Sequence, residues 1–167
     1  MQAEKQPQRG SAVSRVTAAL AAHGLEHLPM REFDERTATA ADAAAAIGTT
    51  VGRIVKSLVF MAGEQPILVL ASGPNRVDVE KVARIVGQPI RRANADQVRQ
   101  LTGFAIGGVP PLGHLQPLAT YVDRDLLQYD EVWAAAGTPN AVFCIQPRDL
   151  VRITEGAVDD VAQVAAV

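Results

Sequence analysis

Cysteine is almost absent: Cys144 is the single one in 167 residues, so the chain can form no internal disulfide, and a zinc site would need other ligands. No apolar run approaches the ~20 residues that span a bilayer. The opening stretch from Met1 to Gly10 carries Lys5 and Arg9 with no hydrophobic segment behind it, which argues against a secretory signal. A reducing, cytoplasmic setting is the expectation. Charge of one sign is lacking too: 16 basic against 18 acidic residues leave a formal net charge of −2. That balance argues against a broad nucleic-acid-coating surface and leaves room for a small local contact with a phosphate backbone.

The familiar catalytic signatures are missing as well. His23, His27 and His114 do not have metal-binding spacing, and no metal or cofactor is expected. Ser72 sits in Ala71-Ser72-Gly73-Pro74, which is not a nucleophile elbow, and Gly107-Gly108 belongs to no dinucleotide or Walker fingerprint. Cys144 lies within Val142-Phe143-Cys144-Ile145, the context of a buried structural thiol. Asp123 and Asp125 are either paired carboxylates or, as is commoner after a strand, the start of a helical turn.

What is present is a single mixed α/β domain. Ser11 caps a helix with Val13, Val16 and Leu20 on one face, ending near Gly24; Thr39 with Asp42 opens an alanine-rich helix that stops at Gly48. Arg53–Met61 and Pro66–Ala71 form a hairpin, and Ser72-Gly73-Pro74-Asn75 is turn chemistry before a helix capped by Asp78. Asn94–Leu101 is a further short helix. Leu118–Val122, Glu131–Ala135 and Ala141–Ile145 are strands, and Pro147–Ile153 is a helix with proline in its first turn. Residues 1–10 form a flexible segment, 11–155 the domain, and 156–167 a tail with the composition of a loose terminal helix.

Two features stand out chemically. In Phe104-Ala105-Ile106-Gly107-Gly108-Val109-Pro110-Pro111-Leu112-Gly113-His114, glycines allow close approach to backbone amides while prolines stiffen the loop. Amides on such a turn suit an anion or a carbonyl oxygen gaining negative charge; a plain strand connection is the competing reading. Lys56 shares a strand face with Ile54, Leu58 and Phe60, where an ammonium needs an anion, a cavity or a route to water.

Val55-Lys56-Ser57, Ser72-Gly73-Pro74-Asn75-Arg76-Val77-Asp78, the Gly107–Gly113 loop and Tyr121-Val122-Asp123 occur in the order found in the YbaK/EbsC family, which this chain resembles over residues 11–155. That family comprises free-standing relatives of the editing domain of bacterial prolyl-tRNA synthetases. The resemblance implies a barrel-like mixed sheet surrounded by helices, and metal-free hydrolysis of the ester joining a wrong amino acid to a tRNA's terminal adenosine. It implies catalytic roles for Lys56, Gly107 and Gly108, and substrate contacts from Ser72, Asn75, Pro110, Leu112, His114, Asp123, Ala136, Gly137 and Asn140. The implied partners are the acceptor end of an aminoacyl-tRNA and, for delivery, a synthetase. Ala135-Ala136-Gly137 departs from the Ser-Gly-Gly common in relatives, which puts the amino acid selected in doubt rather than the reaction. A non-catalytic module of the same fold that grips a tRNA end or a nucleotide is the second reading. Arg53, Lys81, Arg84, Arg91, Arg92 and Arg99 either gather at a pocket mouth or form ordinary solvated faces.

Overall fold

A computed structural model describes residues 11–34 and 39–164. The expected flexible segment 1–10 lies outside the described residues. Ser11 accepts from the Ser14 amide at 3.1 Å and starts α1 (Ala12–Ala22), whose buried Val13, Val16 and Leu20 recur at helical spacing. Thr39 caps α2 (Ala40–Ile47), and Gly48, in the left-handed region at φ 86°, ends it. Asp78 accepts from the Glu80 and Lys81 amides to start α3 (Val79–Val86). Asn94 and Gln97 form a reciprocal capping box on α4 (Ala95–Thr102), and α5 (Pro147–Thr154) has proline in its first turn.

The strands are β1 (Met30–Glu32), β2 (Val55–Ala62), β3 (Gln65–Ser72), β4 (Ile90–Arg92), β5 (Ala119–Asp123), β6 (Val132–Ala135), β7 (Ala141–Ile145) and β8 (Ala157–Asp159). They form a five-stranded mixed sheet in the order β4-β2-β3-β5-β8 and a three-stranded antiparallel sheet in the order β1-β7-β6. A parallel bridge between Ile54 and Trp133 joins the two. The barrel-like sheet expected from the sequence is therefore realised in open form, as two sheets meeting at a seam.

β3 is central, and its Ile67-Leu68-Val69-Leu70 run is buried on both faces, which accounts for a strand without polar alternation. One face, with Val55, Val59, Leu68 and Leu70, packs the main core with α1, α4 and α5; the other, with Leu58, Phe60 and Val69, packs under α3. The register of β2 places the lysine. Ala62 pairs with Gln65 around a two-residue turn, Lys56 pairs with Ala71, and Phe60 pairs with Arg92 on the opposite side.

The terminal helix expected after Glu155 is not formed over the described residues 156–164. Val158 pairs in parallel with Val122, Val161 is fully buried, and its carbonyl accepts from the Asp78 amide at 2.8 Å. The Gln163 amide donates to the Arg76 carbonyl at 2.8 Å. β-branched Val158 fits an edge strand, and Val161, two residues beyond that strand, is buried in the α3 cluster.

The turn after β3 approaches the segment before β2 closely. A Cβ on Gly73 would stand 2.2 Å from the Val51 carbonyl oxygen. Gly73→Ala is accordingly expected to destabilise the protein by about 1–3 kcal/mol, read as a lowered thermal midpoint.

Candidate active site

A cavity of about 550 Å³ opens at the seam between the sheets. Among the described residues, the outer side of β2 is paired only just before its start, through Ile54 to Trp133, and at its end, through Phe60–Ala62 to β4. The Val59 carbonyl accepts from the Ala93 amide on this side. By antiparallel alternation the backbone groups of Ser57 also point outward, away from β3. No strand among the described residues pairs with Ser57 there. The cavity fills that gap. Its walls come from β2 (Lys56, Ser57, Leu58), α2 (Ala40, Ala43), β6 and β7 (Trp133, Ala135, Val142), the 106–109 loop and Thr138.

Lys56 and Gly107 border this one cavity. The half-buried Lys56 ammonium donates to the backbone carbonyl of Asn75. Burial, followed by the charge of Arg76, lowers its pKa below the usual lysine value, with Asp123 acting in the opposite direction. Gly107 is exposed at φ 90°, a left-handed conformation that glycine adopts without strain, and its N–H has no hydrogen-bond partner among the described residues.

Gly108 differs. It is buried, its amide donates to the Ala105 carbonyl at 3.0 Å, and a Cβ there would meet the Thr138 Cα at 2.8 Å. The expected pair of free amides is thus reduced to Gly107, with Gly108 closing the turn.

Ser72, Asn75 and Asp123 assemble behind Lys56. Buried Asp123 accepts from the Ser72 amide at 3.0 Å and the Asn75 side-chain amide at 2.8 Å through Oδ2, and from the Asp125 amide at 2.9 Å through Oδ1. Asn75 also donates to Asp125 at 2.7 Å, and the Ser72 hydroxyl donates to the Gly52 carbonyl at 2.6 Å. These contacts hold the turn whose carbonyl receives the lysine. None of the three side chains lines the cavity.

The remaining expected contact residues also lie elsewhere. His114 Nε2 donates to the Pro110 carbonyl at 2.6 Å, its ring meets Phe104 edge-on, and burial lowers its pKa. His114 and Leu112 border a separate cavity of about 400 Å³ behind the loop. Pro110 is buried beneath it. Ala136 is fully buried, with its amide donating to the Ala141 carbonyl at 2.8 Å, and Gly137 packs so closely that a Cβ would lie 2.7 Å from the Ala12 carbonyl. Asn140 donates to the Phe33 carbonyl at 2.9 Å and accepts from Thr138 at 2.9 Å. The residues that do border the cavity here are Ala135, Thr138, Pro139, Ala141 and Val142.

Of the six basic residues considered, only Arg92 lines the cavity, with its guanidinium 5.9 Å from the Phe60 ring centre. Arg53 pairs with Asp130 at 2.5 Å, and Lys81 pairs with Asp160 at 2.8 Å. Cys144 lies 3.3 Å from Glu131, and burial pushes its thiol up to about 12, so it is protonated near neutrality. Among the cavity residues that sequence reasoning missed are Ser57 and Trp133. The Ser57 hydroxyl is buried with no hydrogen-bond partner among the described residues, and Trp133 is the aromatic side chain on the lining. The serine's position beside Lys56 was the only available signal. The seam that exposes Trp133 joins residues far apart in the chain.

Fold and site together define a single mixed α/β domain built around one seam cavity with a lysine and a free loop amide on its walls. The model of the aminoacyl-tRNA editing domain matches residues 34–153, and the chain belongs to that family. It is similar to the crystal structure of a candidate trans-editing enzyme for prolyl tRNA synthetase, at 48% identity and TM-score 0.89 over 94% of this chain and 100% of that one. The uncharacterised protein YwhH of Bacillus subtilis is 35% identical over 120 residues, 71% of this chain and 76% of its own length. A candidate Cys-tRNA(Pro)/Cys-tRNA(Cys) deacylase, EbsC of Enterococcus faecalis, is 24% identical over 135 residues, 77% of this chain and 82% of its own. Among the described residues no helix is long and apolar enough to cross a membrane, and no group of three or more His, Cys, Asp or Glu side chains is placed to hold a metal.

Proposed function

We propose that the chain is a trans-acting aminoacyl-tRNA deacylase that hydrolyses the ester of a small amino acid mischarged on tRNA(Pro) or a similar tRNA. The observation that carries this reading is the placing of Lys56 and the free Gly107 amide on the walls of one cavity. An aminoacyl ester is already activated, so the protein needs chiefly to position it, stabilise negative charge on its carbonyl oxygen and admit water.

In this mechanism the ester carbonyl faces the Gly107 N–H. Water adds to the carbonyl carbon, and the oxyanion of the tetrahedral intermediate is held by that amide, a contact worth on the order of 3 kcal/mol. The carbon–oxygen bond to the ribose then breaks, releasing the amino acid and returning a proton to the ribose oxygen. Lys56 binds an oxygen of the acceptor end, and a neighbouring ribose hydroxyl helps place the water. The apolar wall of Ala135, Ala141 and Val142 favours a small aliphatic or thiol side chain over a charged one.

The test is hydrolysis of a panel of mischarged tRNAs that includes alanyl- and cysteinyl-tRNA(Pro), set against correctly charged prolyl-tRNA. Rapid release of one small amino acid, with prolyl-tRNA spared, is the expected result. Folded protein that binds the tRNA and turns over none of the panel would instead identify a non-catalytic binding module.

A further inference from the structure

We infer that Trp133 is the stacking platform for the adenine base at the end of the tRNA, so that one cavity holds both the base and the aminoacyl group. The inference rests on the deacylase reading for the identity of the base. The stacking site itself follows from the cavity.

Size is the first consideration. A cavity of about 550 Å³ falls in the ~300–1,000 Å³ range of pockets for whole small molecules and far exceeds what a two- or three-carbon side chain fills. The remaining space needs an occupant. Its lining divides by chemistry. Lys56, Arg92 and Gly107 bring charge and a free amide, whereas Trp133, Ile54, Val51, Ala40 and Ala43 form an apolar wall.

The placement of Trp133 is the second. Along β6, Val132 and Ala134 are fully buried in the main core, so Trp133 and Ala135 point to the opposite face by strand alternation. There the indole packs against Ala43, Ala44 and Ile54 yet stays only half-buried, with the rest open to the cavity. The small alanines of α2 leave room for a flat ring. Unpaired bases are recognised mainly by stacking on such side chains, and tryptophan offers the largest face. Thr39 stands on the same lining; its oxygen accepts from the Asp42 amide at 3.0 Å, leaving the hydroxyl proton for a ring nitrogen.

Because Trp133 is the single tryptophan, its emission reports on this wall alone. The full chain is titrated with adenosine bearing alanine through a non-hydrolysable 3′-amide, with the matching cytidine compound, and with alaninamide. The expected result is a saturable emission change with the adenosine compound, a weaker one with cytidine, and none with alaninamide. Calorimetry should show Trp133→Leu weakening the adenosine compound by about tenfold or more and Trp133→Phe by clearly less. No emission change up to the solubility limit, equal responses to alaninamide, or unchanged affinity in folded Trp133→Leu would each overturn the platform. The two readings fail separately. Adenosine binding without turnover of any charged tRNA removes the deacylase and keeps the platform; normal turnover with a silent Trp133 does the reverse.

Discussion

Asp123→Ala is expected to produce the largest loss of stability of any single side-chain truncation around the site, about 3 kcal/mol or more, seen as an earlier midpoint in denaturant at unchanged slope. Asp123 is 1% exposed, and its two oxygens receive three N–H groups, from Ser72, Asn75 and Asp125. Truncation leaves those donors without their acceptor, at roughly 1–3 kcal/mol for each one that stays buried. Asp123→Asn is expected to be milder. An amide keeps the shape but turns one oxygen into a donor, so it satisfies either the Ser72 and Asn75 side or the Asp125 side and never both. Both variants should lower kcat/KM in the folded fraction, because the turn they loosen carries the Asn75 carbonyl that receives Lys56. Full activity in a destabilised Asp123→Asn protein would show that this turn does not position the lysine.

This role for Asp123 shows what the sequence could and could not disclose. Local chemistry was legible: the caps at Ser11, Thr39 and Asp78 and the turn at Ser72–Asn75 stand where the residues indicate. Each depends on a few neighbours in the chain and is fixed by backbone donors that need a nearby acceptor. The short strands β1 and β4 were not legible. Three residues carry too little periodicity, and both exist because a longer strand offers them an edge. β8 was misread for the same reason: its pairing with β5 is non-local, and alanine and valine fit either state.

At the site, Lys56 and Gly107, singled out by residue type, both border the one cavity. It could not separate Gly107 from Gly108. These adjacent glycines differ in what the fold does with them: Gly107 is exposed at φ 90°, whereas Gly108 is buried against the Thr138 backbone with its amide bonded to Ala105. His114, Leu112 and Pro110, read as substrate contacts, do not line that cavity for a related reason. A stiff loop has two sides, and these three support it from behind.

Lys56→Met is expected to reduce deacylation by at least about tenfold while leaving the thermal midpoint nearly unchanged. Methionine fills much of the space of the lysine stem, and the deleted ammonium is already a burden to the fold, since burial and Arg76 disfavour its charge. Lys56→Arg should not restore activity. The ammonium meets one carbonyl as a compact charge, whereas a planar guanidinium needs a wider arrangement of acceptors. The pH dependence separates function from stability by sign. Because the folded-state pKa lies below the ordinary lysine value of 10.5, the unfolded chain binds more protons between the depressed value and 10.5. Unfolding free energy from this group therefore rises with pH across that window. Activity runs the other way, falling as the ammonium loses its proton, once uncatalysed ester hydrolysis is subtracted. Lys56→Met should abolish both trends together. A variant that instead melts early and retains turnover would make Lys56 a structural clamp on the Asn75 turn, and the oxyanion amide of Gly107 would then act without it.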